Sequence, residues 1–314
     1  MSTRKHPRLR LLAGSLVLAL TVLLGSGVTP AGNSTNADHH YGTRAYDWAS
    51  WIPGYEPAEF HPPLFPPDIC ATENNVFQAG EKIVYKLYYN WNFVWLSAGE
   101  VTFQVNDLAR QYHIMVRGKT YPSYEWFYQV DDKYESYLDK RTLLPKIHIK
   151  DVKEGGYTRF DRTVFDQVDH TAVSSRGKTR DDLKEKYMDL DGCMHDLISI
   201  VYYARNLDPR KMTKGQEIPI KILMDQEIHP LSLKYLGRDE RKKVKGVGFY
   251  DTHIMSPQLI AGEVFKEGDE MKIYVTNDDN KLPVLIESPV SVGSVKAVLK
   301  SYKGLKYPMT AEVE

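Results

Sequence analysis

The sequence has no surplus of either charge and has very few cysteines. Lysine plus arginine and aspartate plus glutamate each number 41 among 314 residues, so the formal net charge is zero. Proteins that bind nucleic acids usually carry a basic surplus, and we therefore exclude nucleic acid as a partner. The two cysteines are Cys70 and Cys193.

Short catalytic and cofactor-binding motifs are also missing. No Gly-x-Ser-x-Gly, His-Glu-x-x-His, phosphate loop or dinucleotide-binding glycine pattern follows the N-terminal region. His39, His40 and His61 lie in a proline-rich stretch without metal-ligand spacing. The Asp-Asp-Asn run at 278–280 lacks the alternating acids and glycine of a calcium loop, which favours a turn. We predict no metal and no cofactor, and the sequence gives no support for an enzyme.

The N-terminus is predicted to be a secretory signal peptide, residues 1–31. Four basic residues and no acid precede an uncharged run at 11–28, and small residues follow. The alternative is an uncleaved membrane anchor, because the apolar run reaches the lower limit of spanning length. No cysteine lies near the end of that run, so we expect no lipoprotein anchor there. We therefore predict an exported, periplasmic or envelope-associated protein, with membrane contact only through an uncleaved N-terminus.

Residues 32–74 form a segment of a different kind. They combine aromatic residues with closely spaced prolines and end in Pro-Pro-Leu-Phe-Pro-Pro at 62–67. Proline disfavours both helix interiors and central strands, so we predict an irregular segment. Its aromatic residues would gain from packing against the following domain.

Residues 75–314 are predicted to be a β-rich domain. In the first strand Ile83, Tyr85 and Leu87 share one face, while Val84 and Lys86 share the other. Similar alternation runs through 125–138 and returns after residue 217. Short turns between alternating strands favour antiparallel pairing. We predict an all-β fold, namely a curved antiparallel sheet or open β-barrel with a second β-block.

One buried helix is predicted at residues 196–207, between the two β-blocks. Apolar residues recur there at helical spacing, Asp196 can cap the N-terminal amides, and Pro209 blocks continuation. The apolar positions cover more than one stripe, which indicates burial.

Cys70 and Cys193 are predicted to form a disulfide, because export would place them where disulfides persist. Inert buried thiols are the alternative. Catalysis by Cys193 with His195 is disfavoured, because side chains two residues apart on a helix do not face each other.

Several segments resemble a bacterial family of unknown function, family 3108. The resemblance rests on Ala-Gly-Glu-Lys-Ile-Val-Tyr at 79–85, Ala-Gly-Glu at 98–100, the helical run at 196–205 and the runs at 271–284 and 292–295. It covers the chain from Phe77 to the C-terminus. The resemblance implies an exported, mostly β protein of bacterial origin, of the Bacteroides kind, and supplies no catalytic residues.

Aromatic residues supply the best candidates for a binding surface. These candidates are Tyr85, Tyr89, Trp91, Trp95, Trp126 and Tyr128. Core packing is the alternative role for them, because large apolar residues are usually buried. As a ligand surface they would line an apolar cavity inside a curved sheet.

Three functions stay open from the sequence. The first is a non-catalytic binding or carrier module for an apolar or amphipathic envelope molecule, such as a lipid or glycolipid. The second is a structural or assembly protein that contacts another envelope protein. The third and most distant is an enzyme that acts on a cell-surface polymer.

Overall fold

A computed structural model describes residues 72–91, 94–125, 128–260, 265, 268–290 and 293–314. The predicted signal peptide and almost all of the proline-rich segment lie outside these residues. Within them, no helix has the length and apolar character needed to cross a bilayer.

The described chain is dominated by strands. The strands are β1 Lys82–Trp91, β2 Val94–Leu108, β3 Gln111–Thr120, β4 Asp131–Asp139, β5 Pro145–Glu154, β6 Tyr157–Asp166, β7 Thr171–Gly177, β8 Lys184–Asp189, β9 Glu217–Met224, β10 Glu227–Val244, β11 Gly248–Pro257, β12 Lys272–Thr276, β13 Pro283–Pro289, β14 Ser294–Lys303 and β15 Glu312–Val313. Two short helices accompany them, α1 Pro122–Glu125 and α2 Ser199–Asn206, with a 3₁₀ turn at Pro209–Lys211. The all-β prediction is confirmed.

All strands belong to one 15-stranded sheet, in the order β8-β7-β6-β5-β4-β3-β2-β1-β14-β13-β12-β11-β10-β9, with β15 added to β11. Every pairing between these strands is antiparallel. The second β-block is therefore present and continues the first, because β1 pairs with β14 as well as with β2. The order ends at β8 and β9, which do not pair with each other in the described chain.

Side-chain contacts bring the two ends of the sheet together. Asp225 and Gln226 form the tip of the β9–β10 hairpin with φ of 51° and 66°, the left-handed conformation of a tight hairpin turn. The Asp225 carboxylate accepts from Lys150 Nζ at 2.9 Å and from Arg176 Nη2 at 2.9 Å. The sheet is thus curved far enough for its last hairpin to contact β5 and β7, as in an open barrel.

Alternation explains why the strands curve around one core. In β1, Ile83, Tyr85, Leu87 and Tyr89 are buried, whereas the residues between them are only partly buried. Inner residues of β1–β5 and of β11–β14 contribute to one large hydrophobic cluster, the main core. We call the side of the sheet that carries this cluster the inner face.

One predicted strand was wrong in part. Residues 125–138 were expected to form a single strand, but β4 begins at Asp131 and helix α1 precedes it. The backbone N–H of Thr120 donates to the Val130 carbonyl at 3.1 Å, and the Val130 N–H donates to the Thr120 hydroxyl at 3.0 Å. These bonds join the two ends of the segment that connects β3 to β4. The alternation of residues along the chain does not reveal this connection.

Helix α2 confirms the predicted helix with shorter bounds. Asp196 Oδ1 accepts from the backbone N–H groups of Ile198 and Ser199 at 2.7 Å each, and the Asp196 N–H donates to the Ser199 hydroxyl at 2.9 Å. This reciprocal arrangement satisfies amides that the first turn leaves without partners. The regular helix therefore begins at Ser199, three residues after the capping carboxylate.

Tyr202 of α2 and Ile198, the residue before the helix, pack into the main core. One turn further, the Arg205 guanidinium forms a two-point ion pair with Glu81. Arg205 also donates to the Asn280 carbonyl at 3.1 Å. The helix therefore lies inside the curve of the sheet, at the end where β1 begins.

Candidate functional site

The structure separates the predicted aromatic residues into different environments. Tyr85 lies in the main core, and its hydroxyl donates to the Pro283 carbonyl at 2.8 Å. Trp95 lies on the surface, 39% exposed, with Lys296 Nζ 4.8 Å from its ring centre. The Trp91 side chain and all of Trp126 lie outside the described residues.

Tyr89 and Tyr128 lie together at the end of the sheet where β1 ends. Tyr89 belongs to a small cluster that is distinct from the main core, and Tyr128 packs against both clusters. We call this group the aromatic end cluster; its members are Tyr89, Ala98, Tyr124, Val290 and Val295, with Tyr128 packed against them. The members come from β1, β2, β14, helix α1 and the residue after β13, which antiparallel pairing brings to one end.

A glycine turn holds Tyr128 in place. Gly155, in the turn between β5 and β6, has φ of 52°, and a Cβ there would lie 2.6 Å from Cε2 of Tyr128. Only glycine allows the ring to lie so close to the turn. The Gly155 N–H also donates to the Gln129 carbonyl at 2.9 Å. This turn places Tyr128 beside Glu154.

Asp132 of β4 and Glu154 of β5 form a buried carboxyl pair next to Tyr128. Asp132 lies two residues before Tyr134, and Glu154 lies two residues after Val152, so each acid shares a strand face with a residue of the main core. Both carboxyls therefore lie on the inner face. Asp132 is 0% exposed and Glu154 is 4% exposed. Their carboxyl groups are hydrogen-bonded to each other.

The pair needs a proton or another donor. Asp132 Oδ1 accepts from the Lys153 N–H at 2.9 Å. Asp132 Oδ2 and Glu154 Oε1, however, receive no N–H or O–H from any other described residue. Burial raises the pKa of both carboxyls, and the Asp132 charge raises the pKa of Glu154 further. The pair therefore shares a proton at neutral pH, because two facing carboxylates do not both ionise.

Further charged groups continue along the inner face from this pair. Lys150, two residues before Val152 on β5, is bound to Asp225. Arg176 bridges Asp225 and Asp161, with its Nε 2.6 Å from Asp161 Oδ2. The inner face is thus apolar around β1–β3 and polar across β5–β7, a division that the sequence-based hypothesis of an apolar cavity did not include.

A second group of polar residues has a structural role. Ser136 donates to Asp196, and His148 Nδ1 lies 3.5 Å from the same carboxylate. Asp196 already caps α2. Burial lowers the pKa of His195 to about 4, so this imidazole is neutral, and its Nδ1 lies 3.1 Å from the Ser199 hydroxyl. These contacts fix the start of the helix.

The structure describes Cys193 but not Cys70, which lies outside the described residues. Cys193 is not a free cysteine. Its pairing with Cys70 stays a prediction. The described residues also contain no group of three or more histidine, cysteine, aspartate or glutamate side chains arranged to hold a metal ion. At residues 278–280, the Asp278 carboxylate accepts from the Thr276 hydroxyl at 2.7 Å and from the Asn280 N–H at 3.1 Å, which confirms a turn.

Sequence reasoning missed the carboxyl pair. Asp132 occupies the same face as Val130 and Tyr134 of the alternating run, and a charged residue at an inward position was the available signal. The partner Glu154 could not be identified, because the β4–β5 register brings the two residues together.

The fold defines a class of open, β-barrel-like antiparallel sheet proteins. A solved β-barrel-like protein of domain of unknown function DUF1849 from Brucella abortus superposes with a TM-score of 0.51 at 11% identity, covering 74% of this chain and 100% of that chain. At that identity the likeness concerns the fold alone. The chain belongs to the family described as protein of unknown function (DUF3108), which matches residues 84–300.

A candidate lipoprotein from Parabacteroides distasonis is a more distant structural match. It has a TM-score of 0.26 and 12% identity and covers 75% of this chain and 100% of that chain. No curated protein matches the sequence. Export and a source of the Bacteroides kind stay predictions.

Proposed function

We propose that this chain is an exported, non-catalytic binding or carrier module for an amphipathic molecule of the cell envelope. The observation that carries the proposal is the junction at Tyr128, where the aromatic end cluster meets the buried carboxyl pair. Such a junction places an apolar wall next to a polar group, the usual composition of a small-molecule site. The export part of the proposal rests on the N-terminal sequence pattern alone.

The position of Tyr128 supports this role. Among the described residues, Tyr128 is the one partly buried residue that packs against both the aromatic end cluster and the main core. Burial raises the pKa of Tyr128, and the nearby Glu154 charge raises it further, so the hydroxyl stays protonated and can donate a hydrogen bond. Tyrosine suits such a boundary because its ring is apolar and its tip is polar.

An assembly role is the second candidate, favoured by strand β8. This strand is the edge of the sheet and its Tyr187 is 73% exposed. The same strand carries Lys184, Glu185 and Lys186, and charged residues on an edge strand disfavour addition of another strand. We therefore rank assembly below ligand binding. An enzyme stays the most distant function, supported only by the raised pKa values of the carboxyl pair.

The direct test is an isothermal titration calorimetry experiment in which a single-chain monoacylglycerol is titrated into the purified mature chain. We expect saturable binding at one site. Tyr128→Ala should weaken it about tenfold or more, because burial of one large side chain contributes about 1.5–3 kcal/mol. Tyr187→Ala is the matched control, since it removes an exposed tyrosine from the far edge of the sheet. Equal affinities for both variants, or no binding at all, would reject the proposal.

A further inference from the structure

We propose that the Asp132–Glu154 pair recognises a hydrogen-bond-donating head group, an ammonium or a hydroxyl, of an amphiphile whose chain lies against the aromatic end cluster. This inference rests on the proposed function and names the chemistry of its ligand. Two oxygens, Asp132 Oδ2 and Glu154 Oε1, carry it: they belong to residues that are almost wholly buried, and no donor from any other described residue reaches them.

A buried acceptor without a donor destabilises the folded protein, and a charged acceptor does so more strongly than a neutral one. A shared proton satisfies the pair when no ligand is present. An N–H of a bound ammonium can take the place of that proton, which is then released to the solvent. A bound hydroxyl would instead donate to the pair while the shared proton stays in place.

The surroundings of the pair suit a donor and do not suit an anion. The titratable groups that act on the two carboxyls are Lys150, Tyr128 and Asp131. Lys150 is already bound to Asp225, and the charge of Asp131 is paired with Arg117 on the outer face. An anionic head group would therefore meet the two acids of the pair and, among the described residues, no cation that is free to pair with it.

A glycine on the neighbouring strand faces the pair. Gly118 of β3 lies directly opposite Asp132 and contributes no side chain to the inner face. Neighbouring inner positions of β3 carry Val116 and Thr120, so the glycine interrupts a row of side chains. In the proposed complex the head group contacts the pair beside Tyr128, and its chain lies toward Tyr89 and Tyr124.

The test uses three amphiphiles with the same twelve-carbon chain, each below its critical micelle concentration. These are dodecylammonium, monododecanoylglycerol and dodecanoate, titrated calorimetrically into the mature full-length protein. We expect the ammonium and the glyceride to bind at least about tenfold more tightly than the carboxylate, the effect of one lost charge-assisted contact. Dodecylammonium should also release about one proton on binding, shown by titration in two buffers of different ionisation enthalpy.

Variants locate the effect. Glu154→Gln and Asp132→Asn each keep the shape and remove one acid, and either should reduce the preference for dodecylammonium over dodecanoate about tenfold. Asp131→Asn is the matched control, because this neighbouring acid lies on the outer face in contact with Arg117. Circular dichroism checks that each variant folds. Because two independent variants remove an acid from the pair, the test can still be made if one of them does not fold.

The outcomes are distinguishable. If none of the three amphiphiles binds, the proposed function fails and this inference fails with it. If all three bind with equal affinity, the binding function stands and the head-group inference is wrong. A preference that survives both Glu154→Gln and Asp132→Asn also overturns the inference. A preference lost in those variants and kept in Asp131→Asn supports it.

Discussion

Arg205 and Glu81 are 124 residues apart in the chain, yet their side chains meet inside the sheet. The two terminal nitrogens of Arg205 donate to the two carboxylate oxygens of Glu81 at 2.6 and 2.9 Å. Both residues are buried. Because Glu81 immediately precedes β1, the pair fixes helix α2 at the end of the barrel opposite the aromatic end cluster.

We expect Arg205→Ala to destabilise the protein strongly. The substitution leaves the Glu81 carboxylate buried without its counter-ion, which costs about 3–5 kcal/mol. Urea unfolding measures the change. Arg117→Ala provides the control, because it removes a two-point pair with Asp131 at the surface and should cost about 0–1 kcal/mol. A small, equal loss for both variants would contradict this role of the buried pair.

The carboxyl pair predicts a loss of stability under alkaline conditions. Burial raises the pKa of Asp132 and Glu154 above the values of the unfolded chain, so the folded state holds the proton more tightly. The stability that this proton contributes is complete in acid and is lost as the pH rises past neutrality through the folded-state pKa. The unfolding temperature should therefore fall less steeply with rising pH for Glu154→Gln than for the natural chain. Parallel curves would show that the pair does not share a proton.

Asp225 is predicted to hold the two ends of the sheet together. Asp225→Asn keeps the shape of the hairpin tip but removes the charge that binds Lys150 and Arg176. Hydrogen bonds to charged groups contribute about 1.5–3 kcal/mol, and the loss should be of that order. Hydrogen exchange should become faster in β9 and β10 and unchanged in β1. An equal increase of the exchange rate in all strands would mean that Asp225 does not specifically hold the β9–β10 hairpin against β5 and β7.

Cys70 and Cys193 are predicted to be bonded in the exported protein. Thiol counting under denaturing, non-reducing conditions should find no free thiol, and Cys193→Ser should expose one. Reduction should lower the unfolding temperature, because closing a loop of over 100 residues stabilises by about 4–5 kcal/mol in the chain-entropy model. Two reactive thiols in the natural chain would show that the cysteines are unpaired.

The local sequence pattern predicted those strands and helices in which the buried residues recur at a regular spacing along the chain. The alternation of Ile83, Tyr85 and Leu87 predicted the inner face of β1, and helical spacing with Asp196 as the cap predicted α2. In both elements the burial of each residue depends on neighbours two to four positions away. These features need no knowledge of distant pairings.

Long-range contacts could not be predicted in the same way. The pairing of β1 with β14 joins residues as far apart as Lys82 and Lys303, and no local signal specifies it. The Asp132–Glu154 pair depends on the β4–β5 register, and the approach of Asp225 to Arg176 depends on the curvature of the whole sheet. The candidate site is made of such contacts, which is why the sequence yielded its aromatic residues and missed its acids.

Native mass spectrometry of the protein purified from its own envelope tests the central claim most directly. We expect a bound amphiphile with a hydroxyl or ammonium head group, retained by the natural chain and by Tyr187→Ala. The same molecule should be lost from Tyr128→Ala, because this variant removes the ring that joins the aromatic end cluster to the carboxyl pair. Protein that leaves the envelope with no bound molecule, in the natural chain as in the variants, would contradict a carrier function.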